Sequence, residues 1–291
     1  MTDSIVNENI SISVVIPTLG GEQMIETIKS LNSGTIKPTE ILICIPDEYS
    51  NNISNYPDEN VLLVKTQLKG QVVQRSIGFQ KAKCEIVLQL DDDIILASDC
   101  IEKMYRQLIK YGPAASISPA LYNLDTKNSV YAKPKSNNFF QSLYYFIING
   151  KYGYKMGSVD LTGSPIGVDP QNVNLDVYPV EWLPGGCVMH FKSNLVLVDY
   201  FPLKGKAYCE DLIHSYLLKE NKINLLISLR AKAFIKIEKY TSVSILDFVK
   251  SVKDDYRARK YYLSIKGRLS KRIFVFYTLM IINYISSISQ K

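Results

Sequence analysis

The feature that most constrains the fold is a mostly apolar stretch that runs directly into three aspartates. Residues 85–90 read EIVLQL, and Asp91, Asp92 and Asp93 follow without a spacer. The run EILICIP at 40–46, which does not alternate, is typical of a strand covered on both faces of a parallel sheet, and residues 85–90 are also predicted to form a strand. Three carboxylates at the end of such a strand repel one another, so we expect a cation to bind there.

The segments around this stretch predict an α/β fold. Met24, Ile28 and Leu31 recur on one helical face, and residues 71–82 have helical spacing. Short apolar runs predict three further strands, at residues 11–17, 40–46 and 61–65. The order strand, helix, strand, strand, helix, strand is typical of a doubly wound sheet, whose ligands bind at the carboxyl ends of the strands. We therefore expect the loop after the first strand, Asp47 and Asp91 to face one crevice.

The aspartate triplet has two interpretations. In an extended segment, alternation puts Asp91 and Asp93 on one side and Asp92 on the other. Two carboxylates at that spacing suit Mg²⁺ or Mn²⁺, with a diphosphate supplying the remaining oxygen ligands. The alternative is that the aspartates cap the next helix or lie in a solvated loop.

A second acidic pair, Glu210 and Asp211, begins a helical pattern. The helix dipole favours an anion there, and one carboxylate could act as a general base, although acids at a helix N-terminus are also ordinary caps. Upstream, Gly185 and Gly186 allow the backbone to approach a ligand closely. Trp182, the single tryptophan, is either a core residue or a platform for a sugar.

The chain has two histidines, and neither lies in a metal-binding motif. His190 alternates within an apolar, strand-like run, which favours a structural role. His214 follows Asp211 by three residues on the same helical face, so it is a candidate ligand for a metal or for a leaving diphosphate.

Composition excludes several classes of protein. A net charge of +6 is too small for a dedicated nucleic-acid binder, and the N-terminus lacks the order of a signal peptide, which predicts a cytoplasmic protein. The five cysteines are widely spaced, which predicts reduced, packed thiols. Residues 113–180 have no sustained period and are expected to form an irregular substrate loop.

The C-terminal region combines a helical stripe with a cluster of cations. Ile245, Val249, Val252 and Tyr256 share one helical face, and basic residues crowd the chain before the apolar run at 273–285. That run is shorter than the ~20 residues a spanning helix needs. The region is expected either to contact anionic lipid at the inner face of the cell membrane or to pack on the catalytic domain.

Five ordered segments together resemble the family 2 glycosyltransferases of GT-A fold, which are inverting enzymes that use nucleotide-sugar donors. These segments are SVVIPT at 13–18, EILICIPD at 40–47, KGQVVQRSIGFQKAKCEIVLQLDDD at 69–93, PGG at 184–186 and CED at 209–211. The resemblance implies a mixed, mostly parallel sheet flanked by helices. It places the catalytic domain at residues 1–230 and a helical tail at 231–291.

The resemblance also implies a role for each matched residue. Asp91 and Asp93 correspond to the DXD motif that holds Mn²⁺ or Mg²⁺, with His214 as a further candidate ligand, and Asp211 corresponds to the catalytic base. The expected donor-binding residues are Pro17, Thr18, Asp47, Arg75, Gly78, Asp91 and Asp92. The expected acceptor-side residues are Trp182, Gly185, Gly186 and Glu210.

The implied reaction moves a sugar, with a UDP-sugar as the expected donor, to a glycan or lipid-linked glycan in bacterial surface polysaccharide synthesis. No nucleic-acid partner is expected. Two other classes stay open. A nucleotidyltransferase would also use metal-binding acids, but residues 17–23, PTLGGEQ, lack the Lys or Arg of its phosphate loop. A catalytically inactive protein that binds sugar nucleotides would bind the donor without transfer.

Overall fold

The computed structural model describes residues 10–53, 58–132, 139–203, 206–237, 244–268 and 270–289. Within these residues the chain forms nine strands: β1 Ile12–Pro17, β2 Glu40–Pro46, β3 Val61–Thr66, β4 Ile86–Leu90, β5 Ile94–Leu96, β6 Ala115–Asn123, β7 Val177–Pro179, β8 Cys187–Phe191 and β9 Asn224–Ile235. The α-helices of the same residues are α1 Gln23–Asn32, α2 Gln71–Lys81, α3 Cys100–Tyr111, α4 Phe139–Asn149, α5 Glu210–Glu220, α6 Ile245–Ile265 and α7 Arg272–Ser289.

All nine strands of the described residues join one sheet in the order β3-β2-β1-β4-β8-β6-β9-β5, with β7 paired to β9. The strands β3, β2, β1 and β4 are parallel, β8 runs antiparallel to both of its neighbours, and β6 pairs parallel with β9. The mixed sheet flanked by helices that the sequence predicts is confirmed. The carboxyl ends of the four parallel strands therefore meet at one edge, which is where the aspartates lie.

Both faces of β1, β2 and β4 are buried, which explains why their sequences do not alternate, whereas the edge strand β3 leaves Leu62 and Leu63 exposed. Val14 on one face of β1 belongs to the core that includes Met24 and Ile28 of α1, as the helical spacing predicts. Val15 on the other face packs with Phe79 of α2. Each such side chain contributes about 1.5–3 kcal/mol when it is fully removed from water.

The glycine in α2 lets this helix pack closely on the sheet. A Cβ atom on Gly78 would lie 2.4 Å from Cγ1 of Val15 and 2.6 Å from Sγ of Cys44. No side chain larger than hydrogen fits without moving the helix. This packing accounts for the glycine, and a donor contact at Gly78 stays a prediction.

The segment at 113–180 is more regular than the sequence predicts, since it contains β6, α4 and β7. The buried strand β6 escapes notice because Ser116 and Ser118 interrupt its apolar pattern and Pro119 suggests a break. The pairing register with β9 shifts between Pro119 and Ala120, which is how a proline is accommodated inside a strand.

The C-terminal helices pack on the rest of the protein. Tyr262 of α6 and Tyr277 of α7 share a buried cluster with Leu212 of α5 and with Trp182. The guanidinium of Arg272 donates to the carbonyl oxygens of Phe146 and Ile147 at 2.9 and 2.6 Å, which caps the end of α4. Strand β9 continues to Ile235, past the domain boundary predicted at residue 230.

Two further features bear on the sequence analysis. None of the cysteines is disulfide-bonded; four are buried and Cys209 is half-buried, so the prediction of packed, reduced thiols is confirmed. In the part of the chain that the structure describes, every helix is too short or too polar to cross a bilayer.

Candidate active site

The loop after β1 and the turn after β4 lie side by side, as the topology predicts. The hydroxyl of Thr18 donates a hydrogen bond to the carboxylate of Asp92, and Oγ1 of Thr27 donates to the carbonyl of the same residue at 2.9 Å. Asp92 and Asp93 form a turn between β4 and β5. The alternation expected of an extended segment is therefore absent, and Asp92 is held by the β1 loop instead.

The same loop also approaches the end of β2. Gly20 has a φ of 84°, and a Cβ atom there would lie 2.5 Å from Cβ of Asn52. The side-chain amide of Asn52 donates to the carbonyl of Leu19 at 3.0 Å. Asp47 begins the short 3₁₀ segment that contains Asn52, and its carboxylate pairs with Lys65 at 2.8 Å on the surface. Pro17 is buried at the end of β1.

A buried glutamine fixes the start of α2 against these strand ends. Nε2 of Gln74 donates to the carbonyl oxygens of Thr18 and Cys44, each at 2.7 Å. Its Oε1 accepts from the backbone N–H of Gly70 at 3.1 Å. One side chain therefore bonds to three backbone groups from three different segments, so α2 is anchored where the site begins.

Arg75 connects the two acidic regions. This buried guanidinium donates from Nη2 to Oδ1 of Asp91 at 3.2 Å and from Nη1 to Oε1 of Glu210 at 2.8 Å. Gln71 donates to the same Oδ1 of Asp91 at 2.8 Å, and the hydroxyl of Tyr200 donates to Glu210. The two acidic motifs that the sequence shows as separate thus belong to one network.

The sequence analysis missed Gln71, Gln74 and Tyr200. For the two glutamines a signal exists, since residues 71, 74, 75 and 78 recur at the spacing of one helical face. That face carries polar side chains at its start and a glycine at its end, which is unusual for a helix packed on a sheet. Tyr200 lies in a segment without periodicity and offers no such signal.

The carboxylates at the β4–β5 turn are suited to bind a divalent cation. Burial raises the pKa of Asp91 to about 6, although Arg75 opposes the shift. Burial and the charge of Asp92 also raise the pKa of Asp93. Among the described residues no group of three or more His, Cys, Asp or Glu side chains forms a complete metal site. Asp91 and Asp93 offer oxygen ligands of the type that Mg²⁺ and Mn²⁺ prefer, and a bound diphosphate would have to complete the coordination.

The glycine pair lies between the two sets of acids. A Cβ atom on Gly186 would lie 2.7 Å from Cδ1 of Ile94 and 3.1 Å from Oδ2 of Asp91. On Gly185 it would lie 3.2 Å from both Cβ of Asp211 and Oε2 of Glu210. The backbone N–H of Asp91 donates to the carbonyl of Gly186 at 2.8 Å. The adjacent residues Gly185 and Gly186 therefore lie against Asp211 and Asp91, respectively.

Asp211 lies in the first turn of α5, at the position the sequence predicts. Cys209, the residue before the helix, has a left-handed conformation with a φ of 57°, which turns the chain into α5. Oδ1 of Asp211 accepts from the backbone N–H of Leu212 at 2.9 Å. Burial raises the pKa of Asp211 to about 7, and the charge of Glu210 adds to the shift. A carboxylate with this pKa can accept a proton near neutral pH.

The structure gives the remaining candidates structural contacts. Trp182 is buried, donates from Nε1 to the carbonyl of Ile166 at 3.1 Å, and packs edge-on against Tyr131, which favours a core role over a sugar platform. His190 is buried and bonds through Nδ1 to the hydroxyl of Ser116 at 2.8 Å, while its Nε2 has no hydrogen-bond partner among the described residues; its structural role stays a prediction.

His214 packs against the acidic network through Tyr200. Its ring stacks on Tyr200 with centroids 5.6 Å apart, and burial lowers its pKa to about 3, with Arg75 adding to the shift. The neutral imidazole is therefore part of the packing around the site. Its role as a metal ligand stays a prediction.

The sequence profile described as Glycosyl transferase family 2 matches residues 13–163, which is just over half of the chain. The chain belongs to this family. The matched part of the glycosyltransferase sequence contains Arg75 and the aspartate triplet. It ends before the glycine pair and Asp211, whose roles stay predictions. A search of curated protein sequences gave no significant match.

Solved structures share the fold of this family 2 glycosyltransferase. A crystal structure of GalNAc-T7 with UDP, GalNAc and Mn²⁺ superimposes with a TM-score of 0.56 at 18% identity, over 87% of this chain and 50% of that chain. The chain thus spans about half the length of that protein. Residues 1–349 of S. aureus TarS give a TM-score of 0.48 at 15% identity, over 87% of this chain and 65% of theirs.

Proposed function

We propose that the protein transfers a sugar from a nucleotide-diphosphate donor to a hydroxyl group of an acceptor, with inversion at the anomeric carbon. The observation that carries the proposal is the position of Asp211. Its carboxylate, whose pKa is raised to about 7, belongs to a residue that lies against Gly185, and Asp91 lies against the next residue, Gly186. The carboxylate of Asp211 can therefore accept a proton beside the place where an anionic donor is expected to bind.

The donor side is formed by the carboxyl ends of β1, β2 and β4. Asp91 and Asp93 would hold a Mn²⁺ or Mg²⁺ ion. Such an ion, when bound, neutralises charge on a departing diphosphate. Pro17, Thr18 and Asp47 lie at the ends of β1 and β2, where the nucleoside is expected, and Arg75 holds Asp91 in place. A UDP-sugar is the proposed donor, and its support is the GalNAc-T7 structure that contains UDP and Mn²⁺.

The chemical step is a single displacement. Asp211 accepts the proton of the acceptor hydroxyl while the hydroxyl oxygen forms a bond to the anomeric carbon. The bond between that carbon and the diphosphate oxygen breaks, and its electron pair leaves with the nucleoside diphosphate. Attack from the face opposite to the leaving group inverts the configuration. Glu210, which is paired with Arg75, is better placed to hold the network than to accept this proton.

The proposed acceptor is a glycan or a lipid-linked glycan of the kind used in bacterial surface polysaccharide synthesis. Support comes from the family and from the surroundings of Asp211, which include Tyr131, whose ring packs edge-on against Trp182. Burial raises the pKa of the Tyr131 hydroxyl above its usual range, and the charge of Asp211 adds to this shift. Tyr131 and Asp211 are therefore near neighbours on the acceptor side.

The test combines binding and turnover in the same protein. UDP-glucose, UDP-N-acetylglucosamine and UDP-N-acetylgalactosamine are each added with Mn²⁺ or with EDTA, and thermal unfolding and UDP release are measured. A donor at a hundredfold its Kd should add about 2.7 kcal/mol of stability. Asp211→Asn should keep this shift and lose about 10²–10⁴-fold in UDP release.

Other outcomes identify other functions. A thermal shift without donor hydrolysis, and without UDP release when a glycan acceptor is added, would indicate a binding protein without activity. Formation of a sugar nucleotide from UTP and a sugar 1-phosphate would indicate a nucleotidyltransferase. Full activity in Asp211→Asn, with an unchanged fold, would remove Asp211 from the mechanism.

A further inference from the structure

The two C-terminal helices bury one face and leave the other exposed. The buried face of α6 and α7 packs on α5 through Tyr262, Ile273 and Tyr277. On the outer face Leu246 is 82% exposed and Phe274 is 62% exposed, and Ile245, Val249, Ile281 and Ile282 are exposed as well. A contiguous apolar surface on two adjacent helices is unusual for a protein face in water and marks a site of interaction.

A groove runs between α6 and α7 on this exposed face. Its volume is about 590 Å³, and its walls are apolar side chains that include Val252, Tyr256 and Phe274. The rings of Phe248 and Tyr284 stack across it with centroids 3.7 Å apart. Lys253 is the charged residue among these walls, and a groove of this size with mostly apolar walls can receive hydrocarbon.

Cations accompany the apolar face. Residues 244–291 contain ten Lys and Arg against three Asp, whereas residues 1–243 contain 24 Lys and Arg against 25 Asp and Glu. Arg259 is buried and paired with Asp255. Six others are exposed, and none of them forms an ion pair within the described part of the chain: Lys250, Lys253, Arg257, Lys260, Arg268 and Lys271.

We propose that the outer face of α6 and α7 binds the surface of an anionic lipid bilayer. The exposed apolar side chains enter the region between headgroups and acyl chains, and the six cations contact lipid phosphates. Charge complementarity selects this partner over a second copy of the chain, because pairing two such faces would bring two sets of unpaired cations together. The proposal is independent of the transfer reaction, since it concerns helices that carry none of the candidate site residues.

The test is co-sedimentation of the full-length protein with vesicles. We compare vesicles of phosphatidylcholine alone with vesicles in which about 30% of the lipid is phosphatidylglycerol. The phosphatidylglycerol provides the anionic surface that the cations require. We expect binding to the anionic vesicles only, and weaker binding in 1 M salt because the screening length falls to about 3 Å. Replacing one exposed cation, as in Lys250→Ala, should weaken binding about fivefold.

Matched variants separate the apolar contribution from general effects. Leu246→Glu and Ile282→Glu should abolish sedimentation with anionic vesicles. Leu68→Glu and Val198→Glu alter exposed apolar residues elsewhere and should bind as wild type. Lys37→Ala, an exposed cation outside the tail, controls for net charge. Thermal unfolding of each variant checks that the fold is retained.

The proposal is overturned by equal binding to neutral and anionic vesicles, or by wild-type binding in Leu246→Glu and Ile282→Glu. It is also overturned if the wild-type protein binds no vesicle. If that protein then forms a dimer in analytical ultracentrifugation that Ile282→Glu dissociates, the partner of this face is a second copy of the chain.

Discussion

Nη1 of Arg75 lies 2.8 Å from Oε1 of Glu210, and this ion pair joins two residues that are 135 positions apart in the sequence. The two side chains are only 2% and 6% exposed. The second branch of the same guanidinium reaches Asp91 at 3.2 Å. One residue of α2 therefore fixes the start of α5 relative to the end of β4, which are the two elements that carry the candidate catalytic and metal-binding acids.

Removing this guanidinium should destabilise the fold strongly. Arg75→Met leaves the buried carboxylate of Glu210 without its cation, and breaking a buried pair in this way costs about 3–5 kcal/mol. Urea unfolding at pH 7 measures the loss. Arg106→Met removes an exposed pair with Glu102 and should cost less than about 1 kcal/mol. Equal losses in the two variants would show that the Arg75 network does not stabilise the fold.

The rate of transfer should fall as the pH is lowered through neutrality. Asp211 must be ionised to accept a proton, and its pKa is raised to about 7. We expect kcat/KM to decrease about tenfold per pH unit below an apparent pKa near 7, because the basic form becomes scarce. The measurement is a pH profile with saturating Mn²⁺. The residual activity of Asp211→Asn should not show this decrease at low pH. A wild-type pH profile that stays flat from pH 5 to 8 would contradict the role of Asp211 as the base.

The same carboxylate should oppose folding at alkaline pH. Its pKa in the folded protein lies above its unfolded value of about 3.9, so the stability it contributes is present at low pH and is lost as the pH rises through about 7. Asp211→Asn should therefore raise the free energy of unfolding more at pH 8 than at pH 5. Urea unfolding at both values measures the difference. Asp47→Asn, an exposed control, should change stability by less than about 0.5 kcal/mol at either pH.

A methyl group added at the contact between α2 and the sheet should destabilise the protein without changing the acidic residues of the site. Gly78→Ala would place a methyl group 2.4 Å from Val15, and overpacking of this kind costs about 1–3 kcal/mol. Gly21→Ala is the matched control, because a Cβ atom there meets nothing within 4 Å. Thermal unfolding should separate the two variants. If Gly78→Ala unfolds as wild type, α2 can shift without cost and the close approach is not required.

The sequence predicts those parts of the fold in which the hydrophobic pattern of a segment reflects which of its faces are buried. The strands β1, β2 and β4 are apolar on both faces because both faces are covered, and α1 shows its buried face as a helical stripe. Strand β6 is hidden by Ser116 and Ser118, whose hydroxyls are buried, and so it reads as irregular. Asp211 was found because helix starts have a local signature.

The connections between segments could not be predicted in the same way. The pairing of Arg75 with Glu210 depends on how α2 and α5 are brought together by the sheet, and no local pattern records it. The turn at Asp92 depends on the hydroxyl of Thr18, which lies 74 positions away. Tyr200 enters the network from a segment whose sequence has no period. These contacts are properties of the folded sheet edge.

The uneven distribution of charge has a consequence for the handling of the protein. A chain that ended at residue 243 would have almost equal numbers of acidic and basic side chains, so its isoelectric point would move toward neutrality from the value of about 8.8 for the whole chain. Proteins near their isoelectric point repel one another weakly and tend to precipitate. Shortened versions should therefore be less soluble in neutral buffer even where their fold is intact.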